Sequence, residues 1–214
     1  MRASPRPFMR LNLLLVISAL TCAPFITGPA AAAGEFEGTI HMDTKSSDGD
    51  VQMIYFVKPK IMRIEMRSGQ GSAITIQDFE SKKLYTLIPQ MKQYAVTPLA
   101  DDEGSGLNET PPVKTGKMEK ILGYKCELYK MKSTEGKMEM WVTKEIPSVK
   151  VLSHNLDGNI LTPLKTVTYD KSGKEVARQE VTKIEEKKLS SALFKPPASY
   201  KQFEMSMPDF TGYQ

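Results

Sequence analysis

The sequence predicts a mainly β protein (α+β at most), built as a curved antiparallel sheet or incomplete β-barrel with short covering helices or loops. Apolar and polar residues alternate along many short segments, which is typical of half-buried strands. The segments recur at roughly 8–12-residue intervals, and turn residues such as Gly, Pro, Asp and Ser separate them. Together these observations favour hairpins in one meandering sheet over a bundle of helices.

The first 33 residues are predicted to be a signal peptide. Arg2, Arg6 and Arg10 form a positively charged start, residues 11–20 are an apolar run, and a tract of small residues ends at Ala33. The apolar run is shorter than the roughly 20 residues that a membrane-spanning helix requires. We therefore expect cleavage after Ala33 and a periplasmic protein with no transmembrane segment after processing.

Two cysteines bear on the compartment and on the core. Cys22 follows the apolar run, so a lipid anchor at Cys22 is the alternative to simple export, although the residues before it are bulkier than a lipobox requires. Removal of the signal would leave Cys126 alone, and an intramolecular disulfide would then be impossible. Cys126 shares a strand face with Tyr124 and Leu128, which predicts a buried thiol.

The charge balance argues against a nucleic-acid partner. The whole chain has a formal net charge of +4, but three of its arginines lie in the predicted signal peptide. The remainder has 26 basic and 25 acidic residues, and these alternate along the strands instead of clustering. Such a pattern is typical of a solvated sheet face, so we expect no nucleic-acid binding.

The first half of the predicted domain reads as a series of strands. Residues 51–57 are apolar on both faces, which indicates a central strand buried on both sides. In the next strand Met62, Ile64 and Met66 alternate with charged residues. The predicted strands of this half are residues 36–42, 51–57, 61–67, 73–77, 83–88 and 93–97.

The second half is organised around a hairpin within residues 117–146, with a polar loop at residues 133–136. Within residues 148–159 the apolar side chains recur at helical spacing, which predicts a short helix. Residues 164–169 and 175–184 are predicted to form a further hairpin. Residues 189–194 follow as a single helical turn that two prolines end. We expect one domain over residues 34–202 and a loose tail over residues 203–214.

The sequence contains no recognisable catalytic or metal-binding constellation. His41 and His154 are far apart, and neither lies near a nucleophile motif. One cysteine and two scattered histidines cannot supply a zinc site of the usual spacing. Eleven of the 13 methionines follow residue 33; thioethers can bind Cu(I), but we favour a role in filling an adaptable apolar interior. We therefore predict no enzyme, no catalytic residues, no metal site and no cofactor.

Five stretches carry a family resemblance. They are Phe36-Glu37-Gly38-x-Ile40, Lys82-Lys83-Leu84-Tyr85-x-Leu87-Ile88-Pro89-x-Met91-Lys92-x-Tyr94, Ile121-Leu122-Gly123-Tyr124-Lys125-Cys126-Glu127-x-Tyr129, Glu139-x-Trp141-Val142-Thr143-Lys144-Glu145 and Phe194-x-Pro196-Pro197-x-x-Tyr200. Together they resemble a family of exported bacterial proteins whose domain has no assigned function. That family is in turn similar to the LolA- and LolB-like lipoprotein-carrier superfamily. The resemblance covers most of residues 35–202 and implies a half-barrel whose covered hollow holds acyl chains or an apolar partner.

These observations lead to a functional hypothesis. We expect an exported binding or carrier protein with an apolar hollow for a lipid-like ligand or a lipoprotein acyl group. The alternative is a non-enzymatic structural or sensory envelope protein that docks a protein partner through the same sheet. Alternating apolar positions are the candidate lining of the hollow: Met53, Tyr55, Met62, Ile64, Met66, Ile74, Ile76, Met138, Met140 and Trp141.

Overall fold

A computed structural model of the chain describes residues 36–99, 112–133, 136–146, 154–156 and 159–204. The predicted signal peptide, the alternative anchor at Cys22 and most of the predicted tail lie outside these residues. The described part forms thirteen strands. Their bounds are β1 Gly38–Ser46, β2 Val51–Lys58, β3 Ile61–Ser68, β4 Gly71–Asp78, β5 Lys83–Ile88, β6 Gln93–Pro98, β7 Val113–Ile121, β8 Tyr124–Ser133, β9 Gly136–Thr143, β10 His154–Leu156, β11 Asn159–Asp170, β12 Glu175–Glu186 and β13 Lys201–Gln202.

The strands form one open, curved sheet, as the alternating pattern predicts. Its order is β13-β6-β5-β4-β3-β2-β1-β12-β11-β9-β8-β7, and β10 pairs with β11 beside this path. Successive strands from β1 to β6 are joined as antiparallel hairpins, and β12 pairs with β1 to connect the two halves of the chain. Only β13 runs parallel to its neighbour among the described pairs. The incomplete antiparallel barrel expected from the sequence is confirmed.

The apolar segment that was predicted to be a central strand is β2, between β1 and β3. Tyr55 and Val57 are buried on one of its faces. Phe56, which points to the opposite face, packs against a second apolar cluster. Over residues 53–57 both faces of β2 therefore carry apolar side chains, as the sequence of this segment indicates.

Buried side chains form three clusters in the described part of the chain. The Met140 cluster is Tyr129, Met140 and Val142. The Phe194 cluster is Ile76, Leu87, Leu189 and Phe194. The main cluster is the largest and comprises Phe36, Ile40, Met42, Tyr55, Val57, Met62, Ile64, Cys126, Leu128, Trp141, Ile146, Leu164, Val167 and Val181.

The segment after β12 covers part of one sheet face. It contains a single turn of 3-10 helix, Ser191–Phe194, which confirms the predicted helical turn. The Leu189 N–H donates to the Glu37 carboxylate at 2.7 Å, and the Arg63 guanidinium donates to the Leu193 carbonyl at 3.1 Å. These contacts hold Phe194 against the strands, and we call residues 187–203 the covering segment.

Two elements differ from the sequence prediction. Where helical spacing suggested a helix, His154–Leu156 is a strand that pairs with residues 159–161 at the start of β11. A short segment is a marginal helix in isolation because nucleation is costly, whereas a neighbouring strand satisfies its backbone groups at once. Val113–Ile121 is a further strand, β7, that the sequence pattern did not separate from the following hairpin. No helix among the described residues meets the length and apolarity that a membrane crossing requires.

Candidate functional site

The main cluster is built on one face of β1, β2 and β3 by strand register. Tyr55 lies opposite Ile40 on one side and Ile64 on the other. In the same way Val57 lies opposite Met62. Directly opposite side chains on one face of an antiparallel pair are close enough to pack. The alternating residues of three strands therefore merge into continuous apolar rows, in which Met62 is only 2% exposed.

Methionine sulfur provides the polar contacts inside these rows. The Tyr55 hydroxyl donates to the Met53 sulfur at 3.4 Å and to the Met42 sulfur at 4.0 Å. Thioether sulfur is a weak acceptor, so the hydroxyl is held without a strong partner. Burial raises the pKa of Tyr55, and the phenol stays neutral at physiological pH. The predicted use of methionine to fill an adaptable interior is consistent with this packing.

A row of side chains around Trp141 forms the far part of the main cluster. Trp141 on β9 lies opposite Leu128 on β8 and Lys165 on β11. The Lys165 ammonium is 4.5 Å from the centroid of the indole ring, within the range of a cation–π contact. The same ammonium is 3.4 Å from a carboxylate oxygen of Glu119 on β7.

This ion pair spans several strands of the sheet. Lys165 and Glu119 are on strands three spacings apart in the sheet order. Adjacent strands are about 4.8 Å apart, which gives roughly 14 Å, a distance that two extended side chains cover by leaning toward each other. By register the pair lies on the face of Trp141, Glu180 and Gln52, which is opposite the face of Tyr55. The main cluster therefore contains side chains from both faces of the sheet.

Charged side chains follow Trp141 along the same strands. Glu139, two residues before Trp141, pairs with Lys130 at 3.0 Å. Arg178 on β12 contacts Glu175 at 2.7 Å and Glu180 at 3.1 Å. The hydrogen bond from Arg178 lowers the pKa of Glu175, so this carboxylate stays ionised to a lower pH than an ordinary glutamate does. Trp141 thus lies beside a region of paired charges.

The structure divides the ten predicted lining residues among three clusters. Met138 packs with Met140 in the Met140 cluster, on the face of β9 opposite Trp141. Ile74 and Ile76 lie in the Phe194 cluster, under the covering segment. The six that the structure brings together, in or against the main cluster, are Met53, Tyr55, Met62, Ile64, Met66 and Trp141.

Several residues of this face were not singled out by sequence reasoning. Lys165 and Glu119 lie in segments where charged and apolar residues alternate. In the sequence they cannot be distinguished from charged residues that face solvent, although the structure pairs them. Leu164 and Val167 are each 1% exposed and belong to the main cluster. A β-bulge between Pro163 and Lys165 breaks the alternation there, so the spacing of these residues carried no usable signal.

A separate cavity of about 390 Å³ opens at the ends of β1, β2 and β3. Its lining is mostly polar or charged and consists of Asp43, Thr44, Lys45, Asp50, Val51, Gln52, Arg67 and Ser68. This composition does not suit an acyl chain, because its charged groups would lose water without gaining a partner. Within the described strands, no three or more His, Cys, Asp or Glu side chains are grouped to hold a metal ion.

Two bacterial proteins are among the solved structures that share this fold. An uncharacterized conserved protein of Thermus thermophilus aligns at 14% identity and TM-score 0.53, over 79% of this chain and 91% of the other. One chain of the Pseudomonas aeruginosa MucA/MucB complex aligns at 12% identity and TM-score 0.50, over 77% of this chain and 56% of the other. Identities this low show a shared fold alone.

A domain from Vibrio parahaemolyticus, described as an outer membrane lipoprotein-sorting protein domain, is a more distant neighbour. It aligns at 11% identity and TM-score 0.31, over 77% of this chain and 90% of the other. No curated protein sequence matches this chain.

The family assignment comes from the sequence match. Residues 36–160 match the family described as "Domain of unknown function (DUF4412)". The matched part begins at Phe36, just before β1, and ends within β11, so it includes the strands that carry most of the main cluster. Since it covers more than half of the 214 residues, the chain belongs to the DUF4412 family.

Proposed function

We propose that this protein is an exported carrier or binding protein that takes up a lipid-like ligand or a lipoprotein acyl group on the concave face of its sheet. One observation carries the proposal. Five of the ten predicted lining residues lie on a single face of β2 and β3 and pack in or against one apolar cluster, in a sheet that ends at β7 and β13 without closing: Met53, Tyr55, Met62, Ile64 and Met66. Tyr55 and Met62 are 6% and 2% exposed, so a ligand enters only if the adaptable methionine side chains repack around it.

The chemistry of the cluster suits a flexible hydrocarbon ligand. Met42, Met53, Met62 and Met66 belong to it or pack against it, and unbranched thioether side chains adapt to irregular shapes. A buried acyl chain contributes about 0.8 kcal/mol for each methylene. The affinity for an acyl ligand can therefore come from the length of its hydrocarbon tail, with little need for polar contacts along that tail.

Export is part of the same proposal. The charged start, the apolar run and the small residues before Gly34 favour a signal peptide that is cleaved after Ala33, which would deliver residues 34–214 to the periplasm. The lipoproteins whose acyl groups such a carrier would bind are found in the cell envelope. A lipid anchor at Cys22 would place the same domain at a membrane surface instead.

A second function, docking of an envelope protein partner, is favoured by the edge strand β7. Val113 and Met118 on this strand are 61% and 56% exposed. An exposed edge can accept an extended segment of another protein by strand addition. The fold neighbour from P. aeruginosa was solved as a MucA/MucB complex, which makes a protein partner a reasonable competitor to a lipid.

Two methionines give a matched test of the carrier proposal. Met62 and Met140 are each 2% exposed, but Met62 lies in the main cluster and Met140 in the Met140 cluster. We expect Met62→Lys to abolish uptake of a fluorescent lipid probe, because the lysine ammonium would stand where the acyl chain packs. By register Met140 shares its sheet face with Val51 and therefore with Tyr55, so Met140→Lys should also reduce uptake if the ligand surface extends as far as β9. Circular dichroism and thermal melting check the fold of each variant.

The opposite result is equally informative. In a filled core an unpaired ammonium costs several kcal/mol, so Met62→Lys would unfold the protein. If it unfolds and the parent takes up no probe, the main cluster is ordinary core, and docking becomes the better proposal. Lipid extraction of the purified protein followed by mass spectrometry provides an independent check, since a carrier should retain lipid through purification.

A further inference from the structure

The turn that joins β7 to β8 presents an exposed leucine. Leu122 is the first of its two turn residues, and Ile121 pairs with Tyr124 at its base. Ile121 and Tyr124 pack against the main cluster, so the turn is held on a firm support. Leu122 itself is 45% exposed and belongs to none of the three apolar clusters. We call residues 120–125 the Leu122 turn.

The backbone of this turn is in a conformation that leucine rarely adopts. Leu122 has a φ of +50° and Gly123 a φ of +91°, so both turn residues are in the left-handed region. A two-residue hairpin turn with positive φ at both positions favours Asn or Gly at the first, because a bulky side chain is strained there. The other non-glycine residues with positive φ in the described part are two exposed lysines, Lys82 and Lys92.

The strain has no visible return within the fold. A leucine that packed into a cluster would offset its backbone strain by burial, but Leu122 stays in water. Backbone strain of this kind is found most often where a side chain has a role in binding. The conformation therefore points to a contact of Leu122 with something outside the chain.

Lysines flank the exposed leucine. Lys120 and Lys125 lie directly opposite each other at the base of the turn, and both are exposed. Lys144 is exposed as well, and it follows Thr143, which pairs with the neighbour of Lys125, Cys126. Like charges directly opposite each other destabilise a hairpin. An anion in front of the turn would remove this repulsion.

The nearby carboxylates leave this charge largely uncompensated. Glu119 lies on the other face of β7 from Lys120 and pairs with Lys165 at 3.4 Å. Glu145 accepts a hydrogen bond from the Lys125 backbone N–H at 3.2 Å. Three lysines thus meet one local carboxylate, and none of the three forms an ion pair with another described residue.

We propose that the Leu122 turn docks the protein on an anionic lipid surface. Leu122 enters the boundary between headgroups and acyl chains, and Lys120, Lys125 and Lys144 lie beside lipid phosphates. An apolar side chain between lysines suits this boundary, because the leucine leaves water while the long lysine stems keep their ammonium groups in it. One inserted leucine gives weak, reversible attachment, and this docking does not depend on ligand uptake.

A lipid surface fits the turn better than a protein partner does. A specific protein interface buries about 800 Å² on each partner, which is much more than one two-residue turn and its flanking lysines provide. A membrane requires no complementary shape, and its attraction for each lysine near an anionic surface adds to that of the next. Small size, an apolar tip and excess positive charge are therefore all consistent with a membrane contact.

Sedimentation with lipid vesicles tests this assignment. The exported protein is first checked by intact mass for the absence of a lipid anchor. It is then sedimented with vesicles of phosphatidylcholine alone, or of phosphatidylcholine and phosphatidylglycerol in equal parts. We expect the parent to bind the anionic vesicles, to bind them more weakly as salt is raised, and to bind the neutral vesicles little.

The variant Leu122→Asn separates a membrane role from a structural one. Asparagine suits the left-handed turn, so this variant should melt at the same temperature as the parent or higher. It should nevertheless bind anionic vesicles about tenfold more weakly, because the inserted apolar side chain is lost. Met91→Asn makes the same change at a residue that is 62% exposed between β5 and β6, and it should leave vesicle binding unchanged.

Two double variants with equal loss of charge test the lysines. Lys120→Gln combined with Lys125→Gln should weaken binding to anionic vesicles about 25-fold, at roughly fivefold for each lysine near the surface. Lys132→Gln combined with Lys174→Gln removes two exposed lysines at the other end of β8 and β11. This control has the same net charge, and its binding should stay within about twofold of the parent.

The outcomes separate this inference from the carrier proposal. If the parent does not bind anionic vesicles, the docking role is wrong, whereas uptake of a lipid probe can still be observed. If Leu122→Asn and the variant of Lys120 and Lys125 bind as the parent does, another surface makes the contact and the assignment is overturned. Should Leu122→Asn fail to fold, the two lysine variants decide: a selective loss at the turn supports docking, and equal binding overturns it.

Discussion

Cys126 shows how burial sets the chemistry of a single residue. The thiol lies in the main cluster with no exposed surface, as its position between Tyr124 and Leu128 predicts. Burial raises its pKa from an ordinary 9.0 to about 11, because the thiolate would lose its hydration. The folded protein therefore holds a neutral, unreactive thiol at physiological pH.

The raised pKa predicts a specific loss of stability at alkaline pH. Between pH 9 and 11 the unfolded chain loses the thiol proton while the folded protein keeps it, so the free energy of unfolding falls as pH rises. We expect Cys126 to account for a loss of about 2–3 kcal/mol by pH 11, measured by urea unfolding as a function of pH. Below about pH 8 its contribution should be constant.

The variant Cys126→Ala provides the control for other groups that titrate in this range. The difference between the two pH profiles should contain the thiol contribution alone, and identical profiles would refute it. Labelling of the native protein by a thiol reagent at neutral pH should also be slow. Fast, complete labelling, or a disulfide-linked dimer, would show that Cys126 is accessible.

Gly38 has a role that its sequence pattern does not reveal. A side chain at this position would collide with the backbone oxygen of Glu185 on β12 and with the ring of Phe36. The absence of a Cβ lets β1 approach β12, and this pair joins the two halves of the sheet. Glycine within a strand usually lowers the stability of the strand, but Gly38 instead permits close packing of two backbones.

The covering segment is the element with the clearest packing role. Phe194 is 5% exposed and packs with Ile76 and Leu87 on the face opposite the main cluster. We expect Phe194→Ala to lower the free energy of unfolding by about 3–5 kcal/mol, through lost burial and a residual cavity. Chemical denaturation monitored by circular dichroism provides the measurement.

A matched apolar truncation on the surface provides the comparison. Met91 is 62% exposed, so Met91→Ala should change stability by no more than about 0.5 kcal/mol. A similarly small effect of Phe194→Ala would mean that the covering segment lies on the sheet without stabilising it. Such a result would also mean that Ile76, a predicted lining residue under this segment, is available to contact a ligand.

The edge strand β7 has features that limit uncontrolled pairing. It is mostly exposed, and Lys114, Lys117 and Lys120 are spaced along it. Its pairing with β8 is interrupted between Lys114 and Met118, and Gly116 has a φ of +74°. Edge lysines and bulges disfavour aggregation through an open edge. A partner that binds here would meet the charges of Lys117 and Lys120, which favours an acidic segment.

At the scale of the whole molecule, processing decides where the protein works. We predict that the exported protein begins at Gly34, because the apolar run and the small residues before this position match a cleavable signal. Intact mass and N-terminal sequencing of the periplasmic protein provide the measurement. A lipid-modified N-terminus at Cys22, or a retained Met1, would contradict this prediction.

The sequence by itself determined most of the strands, the central position of β2, the buried thiol and the single turn of the covering segment. Each of these depends on local information: alternation with period two, an apolar run covered on both faces, or a turn ended by proline. The helix expected over residues 148–159 was wrong at His154–Leu156, because pairing with β11 outweighed a weak periodicity.

Only the tertiary structure decided which faces meet. Alternation divides each strand into two faces, but it does not say which face of one strand continues onto the next. Ile64 lies opposite Thr75, so Ile76 turns to the other side of the sheet. Trp141 and Met140, adjacent in sequence, likewise belong to opposite faces. Register and bulges set this choice through contacts between residues far apart in the chain, and a shift of one residue reverses it.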